Sequence, residues 1–356
     1  MYQLRQLLVL SKCFEALHSV RNLCVSSSTF QQAKEVLKIV DPYSKIKIRC
    51  NCNLKIVPYD LLDCPDSNLL KASLNSSSDY KLDVAINNNE VVITDSGAAS
   101  VPPVSCILEV PIKANLDVLN NGSTAISDLY SDEIRVESGG NVETKSLRCT
   151  LIDLRSSDGD ISCGGTTLAQ IIKVVTTGKG SVLLDKLQGG EVEVETYSGD
   201  ISVNSSYSNN SSFRTNQGNQ LLKSIHKSCQ VVSSGPGRFI MNGFYGTLNA
   251  NVASREVSLQ LSEIVGECTV TAKSADVFDL AISDTVYDNT GIHITCNQLE
   301  VEPGLTGDHQ PALNDAGQVS VGCKTTENRL NIEAAGLVTL RKMSWADTFG
   351  IAFKIE

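Results

Sequence analysis

The sequence predicts an all-β chain folded as a β-solenoid of the parallel β-helix kind, with about eight rungs of roughly 20 residues and β-strand caps at both ends. Three observations carry this reading. A glycine-led phrase returns about every twenty residues: Gly140-Asn141-Val142, Gly159-Asp160-Ile161, Gly180-Ser181-Val182, Gly199-Asp200-Ile201, Gly218-Asn219-Gln220 and Gly237-Arg238-Phe239, with degraded copies at Arg255-Glu256-Val257 and Ala275-Asp276-Val277. Apolar residues hold fixed places around that phrase. Aromatics make up only 5% of the chain while 41% is apolar, a composition that suits thin rungs filled by small and β-branched side chains.

The columns of the repeat define what each position does. Five residues before the glycine stand Leu154, Val175, Val194, Phe213, Val232 and Val270. Two after it come Val142, Ile161, Val182, Ile201, Phe239, Val257 and Val277, with Gln220 the one break, and two further on come Cys163, Leu184, Val203, Leu222, Met241 and Leu259. A spacing of two is strand periodicity, so each copy reads as strand, tight glycine turn, strand. One such unit buries too little apolar surface to stand alone. Stacked at roughly 4.8 Å per rung, the columns merge into one core and give a body on the order of 40 Å long. The glycine column is expected to supply positive φ at a sharp turn, and Gly189, Gly246 and Gly266 mark a second turn column. The polar column of Asp160, Asp200, Asn219, Arg238 and Glu256 is expected on the turn edge, facing water.

In chain order, residues 1–30 read as a transit peptide. Glu15 is their one acidic residue, Arg5, Lys12, His18 and Arg21 are basic, and Leu7, Leu10, Phe14 and Leu17 recur at helical spacing before Ser26, Ser27, Ser28 and Thr29. An amphipathic, basic, acid-poor leader of this kind is mitochondrial in character. The alternatives are a secretory signal, whose uninterrupted apolar run would be only Leu7 to Leu10, and an ordinary helix on a cytoplasmic protein. Residues 44–130 read as an N-terminal β cap, with alternating strands over Ile46 to Ile56, Tyr80 to Ile86 and Leu108 to Val118. A solenoid needs such a cover because a bare edge strand invites aggregation. The repeats fill 131–295, a loop with Pro303 and Pro311 fills 296–317, and a C-terminal β cap containing Trp345 fills 318–356.

Composition narrows the function. A formal net charge of -10 with no basic run in the repeats argues against nucleic acid or an anionic membrane as the main partner. No apolar stretch approaches the roughly 18–20 residues that span a bilayer. The 12 cysteines are scattered along a long chain. Cys50 and Cys52 alternate with polar residues on a strand and Cys163 falls in a core column, so they read as buried reduced thiols, and no C-x-x-C pair suggests zinc. The sequons at Asn75, Asn121, Asn204, Asn209 and Asn210 matter only in a secreted chain.

Catalytic sets are not apparent. His18, His226, His293 and His309 show neither metal-ligand spacing nor a nucleophile motif. Gly178-Lys179-Gly180-Ser181 lacks the upstream glycine of a phosphate loop and reads as a repeat turn. Asp158-Gly159-Asp160 offers two carboxylates but lacks the calcium repeat and the EF-hand loop. Asp160 and Asp200 fall two rungs apart, about 9.5 Å, near the wide end of the inverting-glycosidase range. They sit, however, on a convex edge without an aromatic platform, and replacing them by Ala is expected to cost under about 0.5 kcal/mol. The reading therefore assigns no catalytic, cofactor-binding or metal-ligating residue and no cofactor.

The segment Val174 to Val203, with Lys186-Leu187-Gln188-Gly189, Val192-Glu193-Val194 and Ser198-Gly199-Asp200-Ile201, resembles the putative-adhesin domain family of unknown function. Val110-Pro111-Ile112-Lys113 and Ser344-Trp345 resemble the flanks of its poorly characterised eukaryotic members, and the likeness spans roughly residues 45–350. The resemblance implies a β-solenoid and a mitochondrial location, and it brings no catalytic residues. Two functions follow: a non-enzymatic interaction or scaffold protein with a protein partner, or a glycan-binding or glycan-cleaving β-helix. An aromatic-lined acidic groove favours the second and a flat mixed surface the first.

Residues 1–30 fused to a fluorescent reporter are expected to carry it into mitochondria. Cytosolic or secretory-pathway fluorescence would refute the leader reading.

Overall fold

The computed structural model describes residues 34–62, 64–75, 80–95, 104–305, 314, 317–323 and 326–343, all within one compact unit spanning 33–356. The leader, His18, His309 and Trp345 lie outside the described residues. Strands dominate, stacked mostly in parallel in one long open sheet, so the chain is a β-solenoid.

The N-terminal part supplies β1 (Lys34–Ile39), β2 (Lys45–Cys50), β3 (Asn53–Pro58), β4 (Leu69–Asn75), β5 (Leu82–Asn87), β6 (Glu90–Asp95) and β7 (Ser105–Val110). Next come β8 (Asn115–Asn120), β9 (Thr124–Ser127), β10 (Glu133–Ser138), β11 (Val142–Lys145) and β12 (Arg148–Ser156). The middle coils are single long strands: β13 (Ile161–Thr176), β14 (Val182–Thr196), β15 (Ile201–Thr215), β16 (Gln220–Ser233) and β17 (Phe239–Val252). Where the sequence suggests two short strands per rung, the chain runs one strand around two corners. In β14 the inward residues are Val182 and Leu184, then Leu187, then Val192, Val194 and Thr196. Alternation changes parity twice along the strand, and each change is a corner.

The chain continues through β18 (Glu256–Ile264), β19 (Glu267–Ala272), β20 (Val277–Ile282), the short helix α1 (Asp284–Asn289), β21 (Gly291–Thr295) and β22 (Gln298–Val301). A single 3-10 turn (Pro303–Leu305), β23 (Gln318–Gly322), β24 (Arg329–Ala334) and β25 (Leu337–Lys342) complete it. β22 falls in the stretch 296–317 expected as loop. Its Gln298 pairs with Leu337 of β25, and its Leu299 and Val301 pack on the core.

Register confirms two of the core columns and corrects the third. Ile161, Val182, Ile201, Gln220, Phe239 and Val257 stand opposite one another in successive coils, and so do Cys163, Leu184, Val203, Leu222, Met241 and Leu259. The first of these columns continues into Phe278, fully buried, while Val277 is 48% exposed. In the column before the turn, Val174 and Val231 point inward and Val175 and Val232 do not. The turns after Thr176 and Ser233 are one residue longer, so counting five back from the glycine stops one residue short. One residue is enough to change face.

The glycine column also has a different cause from the one expected. Positive φ is found at Gly165, Gly243, Gly246 and Gly266 and at Asp128, Ser146, Ser224 and Lys227, which lie at the other corners. Gly159, Gly180, Gly199, Gly218 and Gly237 are not among them. A Cβ on Gly199 would lie 1.9 Å from the carbonyl oxygen of Gly180, and one on Gly218 would lie 2.0 Å from that of Gly199. Backbone of one coil rests against backbone of the next, so glycine is needed for room.

A buried hydroxyl precedes each of these turns, and at the first four it pairs with turn backbone, whereas Ser233 before Gly237 lies 3.4 Å from the Ser254 hydroxyl. Ser156 Oγ donates to Gly140 O (2.9 Å), Thr176 Oγ1 to Gly180 O (2.8 Å) and Thr196 Oγ1 to Gly199 O (2.7 Å), while Gly218 N donates to Thr215 Oγ1 (3.0 Å). These residues are buried polar groups, tolerable only because they are paired. Gln220 is a partial exception. Its Nε2 donates to Val232 O at 2.9 Å, whereas its buried Oε1 has no partner among the described residues.

Both ends of the stack are built out of sequence order. The coil β2–β3 pairs in parallel with β6 and β7 on one side and with β8 and β9 on the other. At the far end β24–β25 sits in the same way between β19–β20 and β21–β22. The strand pair nearest each chain end is thus the second coil from the end, hydrogen-bonded on both sides. Antiparallel strands then cover the outer coils: β5 on β6, β4 on β7, β1 on β4, and β23 on β21. This protects edges that parallel stacking would leave bare.

Gly199→Ala is expected to cost about 1–3 kcal/mol through backbone overpacking, while Gly304→Ala, with nothing within 4 Å of its Cβ, is expected to be neutral. Urea unfolding of the two variants checks this. Equal stabilities would mean that the turn tolerates a side chain.

Candidate functional site

The carboxylates singled out in the sequence hold coils together. Asp160 N donates to Asn141 Oδ1 (3.0 Å), Ser181 N to Asp160 Oδ1 (2.7 Å) and Asp200 N to Ser181 Oγ (3.2 Å). Asn219 N donates to Asp200 Oδ1 (2.7 Å), Arg238 N to Asn219 Oδ1 (2.8 Å), and Arg238 pairs with Glu256 at 2.7 Å. From Asn141 to Asn219 each side chain caps the backbone N–H one coil further on, and the Arg238–Glu256 ion pair ends the series. The expected indifference to alanine at Asp160 and Asp200 is therefore corrected, because each substitution removes a short charge-assisted hydrogen bond. Ser181 stands between the two carboxylates.

The other sequence candidates also have structural partners. Gly178 lies in a turn where a Cβ would come within 2.4 Å of Ser157 O. His293 Nδ1 is 2.9 Å from Ser320 Oγ across β21 and β23. Asn204 Nδ2 donates to Asp185 Oδ1 (3.3 Å), and Asn209 Oδ1 accepts from Lys227 Nζ (2.6 Å). Among the described residues no group of three His, Cys, Asp or Glu is placed to hold a metal ion, and no helix is long and apolar enough to cross a membrane.

His226 belongs to a feature that the sequence reading missed. Along the second corner the outward residues of successive coils align as Tyr130, Arg148, Leu168, Gln188, Tyr207, His226 and Tyr245. Parallel stacking sets equivalent side chains one strand spacing apart, close to ring-stacking distance. Tyr207 and His226 stack at 4.5 Å between centroids, and His226 and Tyr245 at 4.7 Å and 4°. Lys186 Nζ lies 5.6 Å from the Tyr207 ring and the Arg148 guanidinium 5.3 Å from that of Tyr130. Tyr130, Leu168, Tyr207 and Tyr245 are 46, 40, 45 and 39% exposed, so the column is a ridge open to solvent. Its signal in the sequence is the spacing of about 19 residues from Tyr207 to His226 to Tyr245, offset from the glycine and core columns.

The broad outer face offers less. A hollow of about 380 Å³ lies among Ile171, Lys173, Glu193, Asn210, Ser212 and Gln230. Lys173 and Glu193 pair there at 3.1 Å, as Arg49 and Asp117 do at 3.0 Å further along the face. Opposite charges that neutralise each other one coil apart leave no stripe of one sign.

Residues 152–297 match the family described as Toastrack DUF4097, which supports an adhesin-like domain of unknown function over that stretch. The chain is also similar to the crystal structure of a putative adhesin from Bacteroides fragilis NCTC 9343, at 12% identity over 88% of this chain and 98% of that one, with a TM-score of 0.38. A putative adhesin from Parabacteroides merdae ATCC 43184 is similar at 5% identity over 88% and 97% of the two chains, with a TM-score of 0.37.

Desolvation between the tyrosine rings holds the His226 imidazole below the ordinary histidine range. The unfolded chain then binds the proton more readily than the folded one. The contribution is complete above the unfolded value of about 6.5 and is lost as pH falls below it. NMR titration should place His226 below the ordinary value of about 6.5, and His226→Gln should flatten the decline of stability as pH falls below that value. An ordinary or raised His226 pKa would refute the account.

Proposed function

We propose that this is a non-enzymatic interaction protein of mitochondria, whose adhesin-like solenoid holds a protein partner along the ridge from Tyr130 to Tyr245. The observation that carries the reading is the ring ladder Tyr207–His226–Tyr245, exposed yet stacked. Seven coils at roughly 4.8 Å make a line of about 29 Å, long enough for a polypeptide to lie along. Tyrosine is favoured at protein interfaces because it presents a large contact area with few rotatable bonds. Mutual stacking has already restricted these rings, so little further ordering is needed on binding.

Two features weigh against the glycan reading. Sugar rings dock on an open aromatic face, and here the faces of His226 are covered by tyrosines while Tyr207 carries Lys186 on one side. Asp160 and Asp200, the carboxylate pair considered for hydrolysis, each accept a backbone N–H. The mitochondrial location is supported by the leader composition and by the family resemblance.

Tyr207→Ala with Tyr245→Ala should leave the fold intact, since both side chains point outward, and should abolish partner capture. The check is affinity purification of the wild-type and double-variant chains from mitochondria, with photo-crosslinking from position 168. An unchanged partner set, together with crosslinks that do not lead to a protein, would overturn the proposal.

A further inference from the structure

Cations of the solenoid fall into two groups. On the broad outer face they meet carboxylates: Lys173 pairs with Glu193 at 3.1 Å, Arg49 with Asp117 at 3.0 Å and Arg155 with Asp153 at 2.9 Å. Along the second corner their partners are neutral. Lys186 Nζ stands 5.6 Å from the centre of the Tyr207 ring, the Arg148 guanidinium 5.3 Å from that of Tyr130, and Lys227 Nζ donates to Asn209 Oδ1 at 2.6 Å. A ring face or an amide oxygen holds a cation in place without cancelling its charge.

From β12 to β17 this corner carries Lys145, Arg148, Lys186, Lys223 and Lys227 against Asp185 and, at its rim toward the broad face, Glu191. Asp185 already accepts from Gly165 N at 3.1 Å and from Asn204 Nδ2 at 3.3 Å. Acids bound the stretch at both ends: Asp128 and Asp132 on either side of Tyr130, and Glu263 opposite Tyr245 in the next coil. In a chain of formal net charge -10, the middle of the ridge is a local reversal of sign, which draws an oppositely charged partner.

The cations are also evenly placed. Arg148, Lys186 and Lys227 belong to β12, β14 and β16, so each is two coils, about 9.5 Å, from the next. A polyproline II segment turns once in three residues and rises about 3.1 Å per residue, so its side chains return to one face about every 9.3 Å. We propose that the ridge takes an acidic polypeptide segment in this extended form, with a carboxylate at every third residue to meet Arg148, Lys186 and Lys227 in turn. The inference rests on the ridge being the docking surface and names the chemistry of its partner. Residues between the carboxylates lie against Tyr207 and Tyr245, which are 45 and 39% exposed. Contact with the rings fixes Lys186 and Arg148 beforehand, so little side-chain freedom is lost on binding. A nucleic-acid strand fits less well, because it carries a charge about every 3.4 Å and would run into the acids at both ends.

The probe is a fluorescein-labelled synthetic peptide of Asp-Pro-Pro repeats about 12 residues long, titrated with the full-length protein and followed by anisotropy. At about 0.1 M salt a screening length of about 10 Å leaves the peptide sensing only nearby charges. Saturable binding is expected. It should be about tenfold or more weaker for an Asn-Pro-Pro peptide, and for the triple variant Arg148→Gln, Lys186→Gln, Lys227→Gln, since each exposed ion pair contributes about two- to fivefold. An isomeric peptide with its aspartates in one block should also bind more weakly, while Lys173→Gln on the broad face should bind as the wild type does. Equal binding of the neutral or the block peptide, an unchanged affinity of the triple variant, or tighter binding of an oligouridylate of equal charge would each overturn the proposal. Photo-crosslinking from position 168 separates its failure from that of the ridge reading. A captured protein segment without acidic residues would overturn the charge assignment alone, whereas crosslinks that do not lead to a protein would remove both.

Discussion

Coil-to-coil contact of backbone on backbone at the glycine turn is the constraint on which the rest of this molecule depends. With the carbonyl of Gly180 occupying the place where a Gly199 side chain would begin, successive turns can nest at the spacing of a parallel sheet. That nesting aligns Thr196 with Thr215 inside and Ser181 with Asp200 outside. The hydroxyls satisfy the turn carbonyls, and the outer polar side chains satisfy the N–H groups of the next coil. A side chain in the glycine column would push the coils apart and weaken both sets of bonds at once.

In-register stacking multiplies whatever residue a position holds. Apolar positions become the continuous core, acceptors on the turn become a capping ladder, and Tyr207, His226 and Tyr245 become a ridge of stacked rings. Groups that look chemical in one coil, such as Asp160 and Asp200, therefore serve their neighbours.

The ends pose the problem that stacking cannot solve by itself, because every parallel coil leaves another bare edge. The chain answers it twice in the same way, slotting the coil nearest each terminus one place in from the end and laying antiparallel strands outside. These coils cannot dock until much later or much earlier parts of the chain have folded. Their contacts are long-range in sequence although the body as a whole is built from neighbouring repeats.

Periodicity by itself determined the solenoid, its rung length and two of the core columns, because each residue in them, from Ile161 through Ile201 to Phe239, meets its counterpart one repeat away. The breaks at Gln220 and the weak copies after residue 250 were equally visible. Tertiary structure alone decided whether Val174 or Val175 faces inward, since one extra turn residue changes the face without disturbing the average period. It also decided the cause of the glycine column, which is an encounter with a carbonyl of another coil and leaves no trace in local preference. The ridge left a short trace, the 19-residue spacing of Tyr207, His226 and Tyr245, but outward positions are free to vary in residue type and the rest of the column carries no common pattern. The inserted end coils left none, because the partner of a terminal edge is chosen by hydrogen-bonding geometry between segments remote in the chain, which a spacing rule does not record.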